Sequence, residues 1–367
     1  MGKSLERRVS RIFRGEIEMK HNLAVIGYGG MGGWHTRAAL KSDVVNLAGI
    51  YDTDPARAKV AEANGIKAFG SYEEVLADKS IDFLTVAIPN DQHEEVVIKA
   101  LNAGKNVLCE KPVTLSCESL QRMFDAADKN HVVFSVHQNR RWDVDFLAMK
   151  QIYQSGEIGK VFNVESRIHG SRGIPSDWRG IKKYGGGMLL DWGVHLIDQI
   201  LQIYTDLTVK SIYCRFDHIT NKEVDDGFKL DMIFENGARA YVEVGTYNFI
   251  ALPRFYMQAE HGTALIEDWR EKTKVVKCTH WHESEVLPVQ TAAGLTKTMA
   301  PRDEVTTQTY ELDIPKSDVH DYYRNFCAAI EGREELIVTH PQMMRVLKLM
   351  EACFRSVDED QRIDVNI

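Results

Sequence analysis

The sequence lacks three features that would place it in a specialised class. It contains no run of about 18 apolar residues, so we expect no membrane-spanning helix. Basic residues are outnumbered, 45 Lys and Arg against 53 Asp and Glu, and the net charge of −8 gives no electrostatic reason to bind nucleic acid or an anionic membrane. The six cysteines form no CxxC pair, and no secretory signal pattern precedes them. We therefore expect reduced thiols in a soluble, cytoplasmic protein with small-molecule partners.

Internal repeats and low-complexity tracts are absent as well. Apolar residues make up 44% of the chain and charged residues 27%, the balance of an ordinary globular enzyme. A length of 367 residues exceeds the usual span of one core, so two domains are expected. Residues 1–20 form an N-terminal extension with Leu5, Val9, Ile12 and Phe13 at helical spacing. This helix could lie on a membrane surface, but packing on the body or on a partner subunit is the preferred interpretation.

Residues 21–142 alternate short β-branched runs with helical patterns, which predicts βαβ units around a parallel sheet. Alternating strands dominate residues 143–367 after an opening helix from Asp143 to Tyr153. Asn236-Gly237 lies between two of these strands and predicts a type I′ hairpin, so the second sheet should be mainly antiparallel. The expected fold class is α/β: a Rossmann domain, then an α+β domain with a large open sheet.

The segment Gly27-Tyr28-Gly29-Gly30-Met31-Gly32 matches GxGxxG between a strand and a helix. In such turns the first glycine permits the tight bend, the second admits a pyrophosphate and the third allows close packing of helix on strand. The amide groups at the helix start then bind phosphate.

Asp52 follows the second predicted strand, 20 residues after Gly32. A carboxylate there can accept hydrogen bonds from both ribose hydroxyls and should repel a 2′-phosphate, which favours NAD over NADP. Arg57, five residues later, could partly offset that repulsion.

Two segments end the next strands at the edge where cofactors lie in doubly wound folds. Ile88-Pro89-Asn90-Asp91-Gln92-His93 ends one of them, and by itself it predicts a loop with Asn90 or Asp91 capping the following helix. Cys109-Glu110-Lys111-Pro112 ends the other and directs a lysine towards the same edge, next to a proline whose peptide bond could be cis.

The densest polar pattern follows three glycines, Gly185-Gly186-Gly187. Asp191, His195 and Asp198 recur at i, i+4 and i+7, which would place all three on one face of an otherwise apolar helix. A catalytic cluster and a buried, hydrogen-bonded histidine are both compatible with this spacing.

With these motifs in order, the sequence resembles the Gfo/Idh/MocA family of glucose-fructose oxidoreductases and inositol dehydrogenases from Leu23 onward. The resemblance rests on the Gly27–Gly32 turn, the Pro89…His93 segment, Glu110-Lys111-Pro112 and the Asp191…His195…Asp198 helix. It implies nicotinamide-dependent oxidation of sugars, inositols or related polyols, and a homo-oligomer, dimer or tetramer, built through the second sheet.

The resemblance also assigns roles to individual residues. Lys111, Asp191 and His195 correspond to the family's catalytic trio. His195 would accept the hydroxyl proton, Lys111 would stabilise the developing alkoxide, and Asp191 would position the substrate or His195. The cofactor-binding residues would be Gly27, Gly29, Gly30, Met31, Gly32, Asp52, Arg57, Ile88, Pro89, Asn90, His93, Glu110, Lys111 and Asn139.

Substrate contacts are expected from Arg141, Trp178 and Arg179 together with Asp191 and His195. A tryptophan beside an arginine suits stacking on a sugar, and it is equally common at subunit interfaces. The similarity of this region to glycoside-oxidising members favours a secondary hydroxyl of a pyranose, giving a 3-keto sugar. An inositol substrate, a non-catalytic NAD(H) sensor and a redox-neutral cycle with permanently bound NAD are the alternatives.

One further cluster was considered as a metal site. Cys278, His280 and His282 alternate along a predicted strand and so face one way, but no fourth ligand is identifiable. We therefore predict no metal.

Overall fold

The structure of the protein, a computed structural model, describes residues 20–280 and 287–367. Two sequence predictions fall outside these ranges. They are the helix expected in the N-terminal extension, of which only Lys20 is described, and the ligand proposed at His282.

Residues 21–136 build a parallel sheet, as their alternating pattern predicted. The five strands pair in parallel in the order β2-β1-β3-β4-β5. The order reverses beside β1, and in doubly wound folds ligands bind at the carboxyl ends of the strands at such a point. The Rossmann prediction is confirmed by the elements β1 (His21–Ile26), α1 (Gly30–Lys41), β2 (Val45–Tyr51), α2 (Pro55–Ala63), α3 (Tyr72–Ala77), β3 (Phe83–Val86), α4 (His93–Asn102), β4 (Asn106–Cys109), α5 (Cys117–Asn130) and β5 (Phe134–Val136).

The described residues after Val136 contain a second, larger sheet and further helices. The elements of this region are α6 (Val144–Ser155), β6 (Val161–His169), a π-helical turn (Leu189–Gly193), α7 (Val194–Ile203), β7 (Val209–Asp217), β8 (Gly227–Phe234), β9 (Arg239–Gly245), β10 (Phe255–Ala259), β11 (Gly262–Ile266), β12 (Thr273–Cys278), β13 (Val289–Thr291), β14 (Gly294–Thr296), β15 (Thr307–Leu312), α8 (Asp321–Ile330), α9 (His340–Glu359) and β16 (Ile363–Asp364). Strands β13 and β14 pair with each other in a separate small sheet.

Nine of these strands form one sheet in the order β15-β12-β11-β10-β6-β9-β8-β7-β16. Every neighbouring pair is antiparallel except β6 and β9, which run parallel. The prediction of a large, mainly antiparallel sheet is confirmed. Strands β13 to β16 were not predicted, because they are short or lack strict alternation.

The turn at Asn236-Gly237 differs from the type I′ turn that the dipeptide predicted. Gly237 has φ of 83°, whereas Asn236 is not among the residues with positive φ. Gly237 N donates to Phe234 O, and Phe234 N donates to Ala238 O. The loop is therefore a type I turn followed by a left-handed glycine, the usual three-residue hairpin.

The chain divides into two compact units, and the division is discontinuous. Of the described residues, the first unit comprises 20–114, 118–137 and 319–340, and the second comprises 115–117, 138–280, 287–318 and 341–367. We had expected one cut at 142/143, with residues 319–340 in the second domain. They join the first unit because the Tyr323 ring packs on His35 and Phe83, and the Phe326 ring packs on Phe83 as well.

Within the part of the chain that the structure describes, no helix has both the length and the apolar character needed to cross a membrane. All six cysteines are described, and all are free.

Candidate active site

The glycine turn between β1 and α1 has the steric form that nucleotide binding requires. Gly27 has φ of 90°, and a Cβ at this position would lie 2.3 Å from Ala87 O. A Cβ on Gly32 would lie 1.9 Å from Gly27 O, so the helix packs directly on the turn. A Cβ on Gly29 would meet nothing within 4 Å, which leaves this glycine facing open space. The same holds for Gly30, so the turn combines two crowded glycines with two open ones.

The open side of the turn suits a phosphate group. Helix α1 begins at Gly30, and its N-cap residue, Gly29, makes no side-chain capping bond. Gly29, Gly30 and Met31 are all exposed. Uncapped amide groups at a helix N-terminus bind anions, so the residues present fit the pyrophosphate of a dinucleotide.

Asp52 lies at the end of β2 and is connected to the glycine turn. Its Oδ2 accepts a hydrogen bond from Tyr28 N at 2.7 Å, and its Oδ1 accepts one from Asp54 N at 2.8 Å. Each carboxylate oxygen has a second lone pair, so both can still accept a ribose hydroxyl. Arg57 is exposed near the start of α2.

The segment after β3 differs from the expected capped loop. Residues Asn90–Gln92 form a 3-10 turn, and the N-cap of α4 is Gln92, which makes no side-chain capping bond. Neither Asn90 nor Asp91 therefore caps the helix. Ile88 and Pro89 are half-buried, and Asn90 is buried.

His93 is fully buried at the start of α4. Its Nδ1 lies 3.0 Å from Pro112 O and its Nε2 lies 3.0 Å from Ile88 O. Burial lowers the pKa of His93. Both polar atoms of the ring therefore contact the protein backbone, whereas the family resemblance implied a residue that contacts the cofactor.

Lys111 follows β4 and is half-buried, and its bond to Pro112 is cis, as the sequence had suggested. Lys111 N donates to Glu110 Oε2 at 3.1 Å. The other carboxylate oxygen of Glu110 contacts His35 Nε2 at 2.8 Å and His137 Nδ1 at 3.0 Å. Glu110 is thus the centre of a hydrogen-bonded cluster that holds the backbone of Lys111.

Charge explains how this cluster tolerates burial. Burial alone would raise the pKa of Glu110, but interactions with His137 and His35 hold the pKa of that carboxyl well below its usual range. The pKa of His35 is lowered by burial despite its bond to Glu110. On its far side, His35 Nδ1 bonds to the Tyr323 hydroxyl. Because both Oε1 contacts have hydrogen-bond lengths, we interpret the three side chains as a hydrogen-bonded network.

In the second unit, the predicted helix begins as a π-helical turn. Residues Leu189–Gly193 are π-helical, and Val194 N donates to Leu189 O, five residues back. The spacing of Asp191 and His195 therefore does not give the α-helical phase that the sequence predicted. All three of Asp191, His195 and Asp198 are nevertheless buried. Such π turns occur frequently at functional sites.

Asp225 fixes the start of this π turn. Its Oδ2 accepts a hydrogen bond from Leu189 N at 2.8 Å, and its backbone oxygen accepts one from Met188 N at 3.0 Å. Gly187, with φ of 110°, approaches so closely that a Cβ would lie 2.1 Å from Asp225 Oδ1. Burial raises the pKa of Asp225 to about 7, although the backbone donors favour its ionised form. Gly187, one of the three predicted glycines, therefore leaves room for the Asp225 carboxylate.

Asp191 pairs with one of the residues predicted to contact substrate. Arg179 Nε lies 3.1 Å from Asp191 Oδ2, and Arg179 Nη1 donates to Asp177 Oδ2 at 2.8 Å. The guanidinium carbon of Arg179 lies 4.6 Å from the centre of the Trp178 ring. Trp178, Arg179 and Asp191 thus form one cluster in the second unit.

Arg141 has a different environment from the one that a substrate-binding residue would need. Its Nε and Nη2 donate to the two carboxylate oxygens of Asp198 at 2.8 Å and 2.6 Å, and its Nη1 donates to Gln342 Oε1 at 2.9 Å. This bidentate pair is buried. Arg141 therefore anchors α7 through Asp198. Asn139 is half-buried at the start of the 3-10 turn Asn139–Trp142, which also contains Arg141.

His195 begins the second turn of the continuous helix and is buried beside Trp192, whose ring centre lies 6.2 Å away. The guanidinium carbon of Arg140 also lies near this tryptophan, 4.2 Å from the ring centre.

Sequence reasoning missed His35, Tyr323 and Asp225. His35 lies on the buried side of α1 near Ala38 and Ala39, a position that could have indicated a structural role. Tyr323 and Asp225 gave no local signal, because their partners lie 288 and 36 residues away. For the metal hypothesis, Cys278 Sγ contacts His280 O, whereas His282 lies outside the described residues.

A glycine turn suited to phosphate, an acidic residue directly after β2, and buried ionisable groups on a helix of the second unit are features typical of dinucleotide-binding oxidoreductases. An oxidoreductase family with an NAD-binding Rossmann fold matches residues 21–138, and a GFO/IDH/MocA C-terminal domain matches residues 146–265. The chain belongs to the Gfo/Idh/MocA family of oxidoreductases.

Individual relatives agree with this family. The chain is 36% identical over 178 residues to an uncharacterized oxidoreductase, C26H5.09c, of Schizosaccharomyces pombe, covering 47% of each chain. It is 34% identical over 296 residues to scyllo-inositol 2-dehydrogenase (NADP(+)) IolW of Bacillus subtilis, covering 79% of this chain and 81% of that one. The structure of an NAD-binding protein from Listeria innocua superposes with a TM-score of 0.91 at 44% identity, covering 95% and 100% of the two chains. The match thus spans about half of the fission-yeast protein and most of the other two.

Proposed function

We propose that this chain transfers hydride from a secondary hydroxyl of a sugar, glycoside or polyol to NAD. The observation that carries the proposal is the buried pair of ionisable groups, Asp191 and His195, on a helix that is otherwise largely apolar. Burying ionisable groups costs free energy, and such groups are concentrated where catalysis uses them. Membership of an oxidoreductase family supports the same conclusion.

The described residues fit the cofactor. The open Gly29 and the uncapped start of α1 suit the pyrophosphate, and Asp52 suits the adenosine ribose. Bound NAD supplies the hydride acceptor. Ile88, Pro89, Asn90 and the Lys111 side chain would line the nicotinamide end. Asn139 remains a proposed cofactor contact on the family resemblance alone.

The protein's own residues then handle the proton and the charge. His195 accepts the hydroxyl proton, a role that suits a side chain whose ordinary pKa lies near neutrality. The Lys111 ammonium stabilises the alkoxide that develops on the substrate oxygen. Asp191 orients the substrate hydroxyl or the imidazole, and Arg179 in turn orients Asp191. Trp178 offers an apolar face for the sugar ring.

For the substrate class, a pyranose or glycoside is the first candidate and an inositol is a close second. The similarity to scyllo-inositol 2-dehydrogenase supports an inositol. The Trp178-Arg179 cluster supports a pyranose or glycoside oxidised at a secondary position, which includes 3-keto-sugar formation. Function is determined by the site and not by the fold, so only a substrate screen separates the two.

The cofactor preference rests on Asp52. Its carboxylate is held beside the turn by Tyr28 N, where its charge opposes a 2′-phosphate, and we therefore propose NAD as the natural cofactor. The substitution Asp52→Ser should lower kcat/KM with NAD and raise it with NADP, changing their ratio by about 10- to 100-fold. A wild-type enzyme that prefers NADP, like the relative named for that cofactor, would contradict this part of the proposal.

The experiment that tests the reaction is a spectrophotometric screen of sugars, glycosides and inositols with NAD and NADP. With the best substrate, His195→Ala should lower kcat by about 10²- to 10⁴-fold, because a general base is lost, while the Kd for NAD stays unchanged. His131→Asn, which alters an exposed histidine, serves as the control and should retain full activity.

Two outcomes would count against the proposal. Tight NAD binding with no turnover on any polyol would indicate a sensor or regulatory protein. A cofactor that co-purifies and never exchanges would indicate a redox-neutral cycle.

We also propose that the chain forms a homo-oligomer through the second sheet. Helices α6 and α7 pack against strands of this sheet. The side chains of Tyr241, Tyr256 and Leu265 alternate with buried neighbours and are half-exposed. A light-scattering mass near 41.7 kDa, the mass of one chain, would contradict this assembly. The six free cysteines suit the reducing cytoplasm that we expect for this protein.

A further inference from the structure

A single imidazole joins two loops at the carboxyl edge of the first sheet. His93 is fully buried, with Nδ1 at 3.0 Å from Pro112 O and Nε2 at 3.0 Å from Ile88 O. Ile88 lies two residues after β3, and Pro112 lies three residues after β4. These two strands are parallel neighbours, with Val86 opposite Cys109. The ring therefore spans the two segments just beyond the point where their strand pairing ends.

Both nitrogens of the His93 ring contact backbone carbonyl oxygens. A carbonyl oxygen accepts hydrogen bonds and cannot donate them, so each carbonyl can only receive an N–H of the imidazole. The neutral ring donates to one of the two carbonyls, and the imidazolium donates to both. Because each nitrogen faces a backbone carbonyl inside the protein, the ring presents no polar atom to a bound ligand.

The backbone around Lys111 is held from a second direction. Lys111 N donates to Glu110 Oε2 at 3.1 Å, and the carboxylate is itself held by His35 and His137. Two backbone groups near the Lys111 side chain thus contact buried side chains. The Lys111 amide contacts Glu110, and the Pro112 carbonyl contacts His93.

We infer that His93 is a positioning residue that sets the place of Lys111 relative to the Ile88–Asn90 segment and does not itself touch the cofactor. The inference rests on the proposed function, in which Lys111 stabilises the alkoxide and Ile88–Asn90 line the nicotinamide. Hydride transfer requires close positioning of the reacting groups, and small displacements of a catalytic group lower the rate strongly. A ring that fixes the distance between two loops supplies that positioning.

Three substitutions separate the two contacts. His93→Phe keeps a ring and removes both nitrogens. In His93→Asn the side-chain amide nitrogen stands near the position of Nδ1 and can still donate to Pro112 O. In His93→Gln the amide nitrogen stands near the position of Nε2 and can still donate to Ile88 O.

We expect His93→Phe to lower kcat about tenfold or more with less than a threefold change in the Kd for NAD, because positioning is lost while the pyrophosphate site is intact. His93→Asn should recover most of that kcat, since the bond next to Lys111 is kept, whereas His93→Gln should not. Hydrogen–deuterium exchange of the amides in residues 108–115 should follow the same order, fastest in the Phe and Gln variants.

A matched control is available in the same unit. His340 Nε2 contacts one carbonyl, Phe134 O at 3.1 Å, and its ring stacks on Phe124. His340→Phe should therefore leave kcat and the exchange of residues 108–115 within twofold of the wild type.

The inference is overturned if His93→Asn is no more active than His93→Phe, or if a folded His93→Phe retains full kcat. A large rise in the Kd for NAD in all three variants would mean that His93 contacts the cofactor, which also overturns it. Lys111→Met, measured in parallel, tests the proposed function separately: full turnover in that variant would remove the role of Lys111, while the exchange data would still report whether His93 holds the loop.

Discussion

Each unit of this protein buries one carboxylate directly against a segment proposed to act in catalysis, and the two carboxylates behave in opposite ways. Glu110 in the first unit accepts a bond from Lys111 N, and its pKa lies well below the usual range. Asp225 in the second unit accepts a bond from Leu189 N, two residues before Asp191, and its pKa is raised to about 7.

The pKa values differ because the two carboxylates have different partners, and not because one is buried more deeply than the other. Burial by itself would raise the pKa of both carboxyl groups. Glu110 accepts hydrogen bonds from two imidazoles, His35 and His137. The bonds that favour ionised Asp225 come from neutral backbone groups, and His218 adds a smaller electrostatic contribution without a hydrogen bond. A buried carboxylate therefore stays charged when cationic or strongly polarised partners surround it. The same isosteric change, acid to amide, should separate the two sites.

The largest effect is expected at the first carboxylate. Glu110→Gln should destabilise the protein at pH 7 by about 3 kcal/mol, because it removes the charged partner of two buried imidazoles. Because the folded pKa is lowered, the stability from this group is present above the unfolded pKa and lost as the pH falls through the folded value. Urea denaturation from pH 7 down to about pH 3 measures the difference and its loss at acid pH. Glu94→Gln, at an exposed pair with Arg122, should change stability within experimental error, and an equal loss in both variants would refute the assignment.

Asp225→Asn should show the opposite dependence on pH. Because the folded pKa is raised, wild-type stability falls as the pH rises from about 4 to about 7 and then levels off. The Asn variant lacks this decline, so its stability relative to the wild type should rise by about 2 to 4 kcal/mol over that interval.

The neighbouring residue provides the control for this change. Asp226 accepts bonds from the Thr220 hydroxyl and from Asn221 N, and its pKa is lowered. Asp226→Asn should therefore lose stability relative to the wild type as the pH rises through the ordinary carboxyl range. Parallel curves for the two variants would mean that Asp225 is not the titrating group.

The smallest effect concerns the outer members of the first cluster. Tyr323→Phe removes the hydroxyl that bonds to His35 Nδ1 and should cost about 1 kcal/mol. Tyr204 is the comparison in the second unit, because its hydroxyl is buried and has no hydrogen-bond partner among the described residues. Tyr204→Phe should leave the thermal midpoint unchanged or slightly higher. Equal losses in both variants would show that packing, and not the bond to His35, explains the effect.

The comparison also separates what the sequence could predict from what it could not. Local patterns predict the parallel sheet, the glycine turn and the position of Lys111. Strand periodicity and the GxGxxG motif are properties of consecutive residues, so the sequence alone reveals them. Asp225 is distant from Asp191 in the sequence. No local pattern indicates that its carboxylate will contact the start of the helix that carries Asp191. The same limitation concealed the contribution of Tyr323 to the first unit.

The π turn shows a second limit. Asp191 and His195 are four residues apart, a spacing that predicts one α-helical face, and nothing in the sequence distinguishes it from a π turn. In the structure Gly193 meets the Phe228 ring, where a Cβ would lie 2.9 Å from the ring edge. The geometry of the helix start is thus determined by contacts from β8 and Asp225, which only the fold brings together.

The position of β6 near the centre of the second sheet affects how the protein folds during translation. Strand β6 leaves the ribosome first among the nine, yet its neighbours β9 and β10 begin 78 and 94 residues after its first residue, Val161. Until they are synthesised, both edges of β6 are without their partners, and such edges invite pairing with other chains. The nascent protein should therefore depend on chaperones most while residues 170–260 are being translated, and slowing translation there should increase aggregation more than slowing it in the first 140 residues.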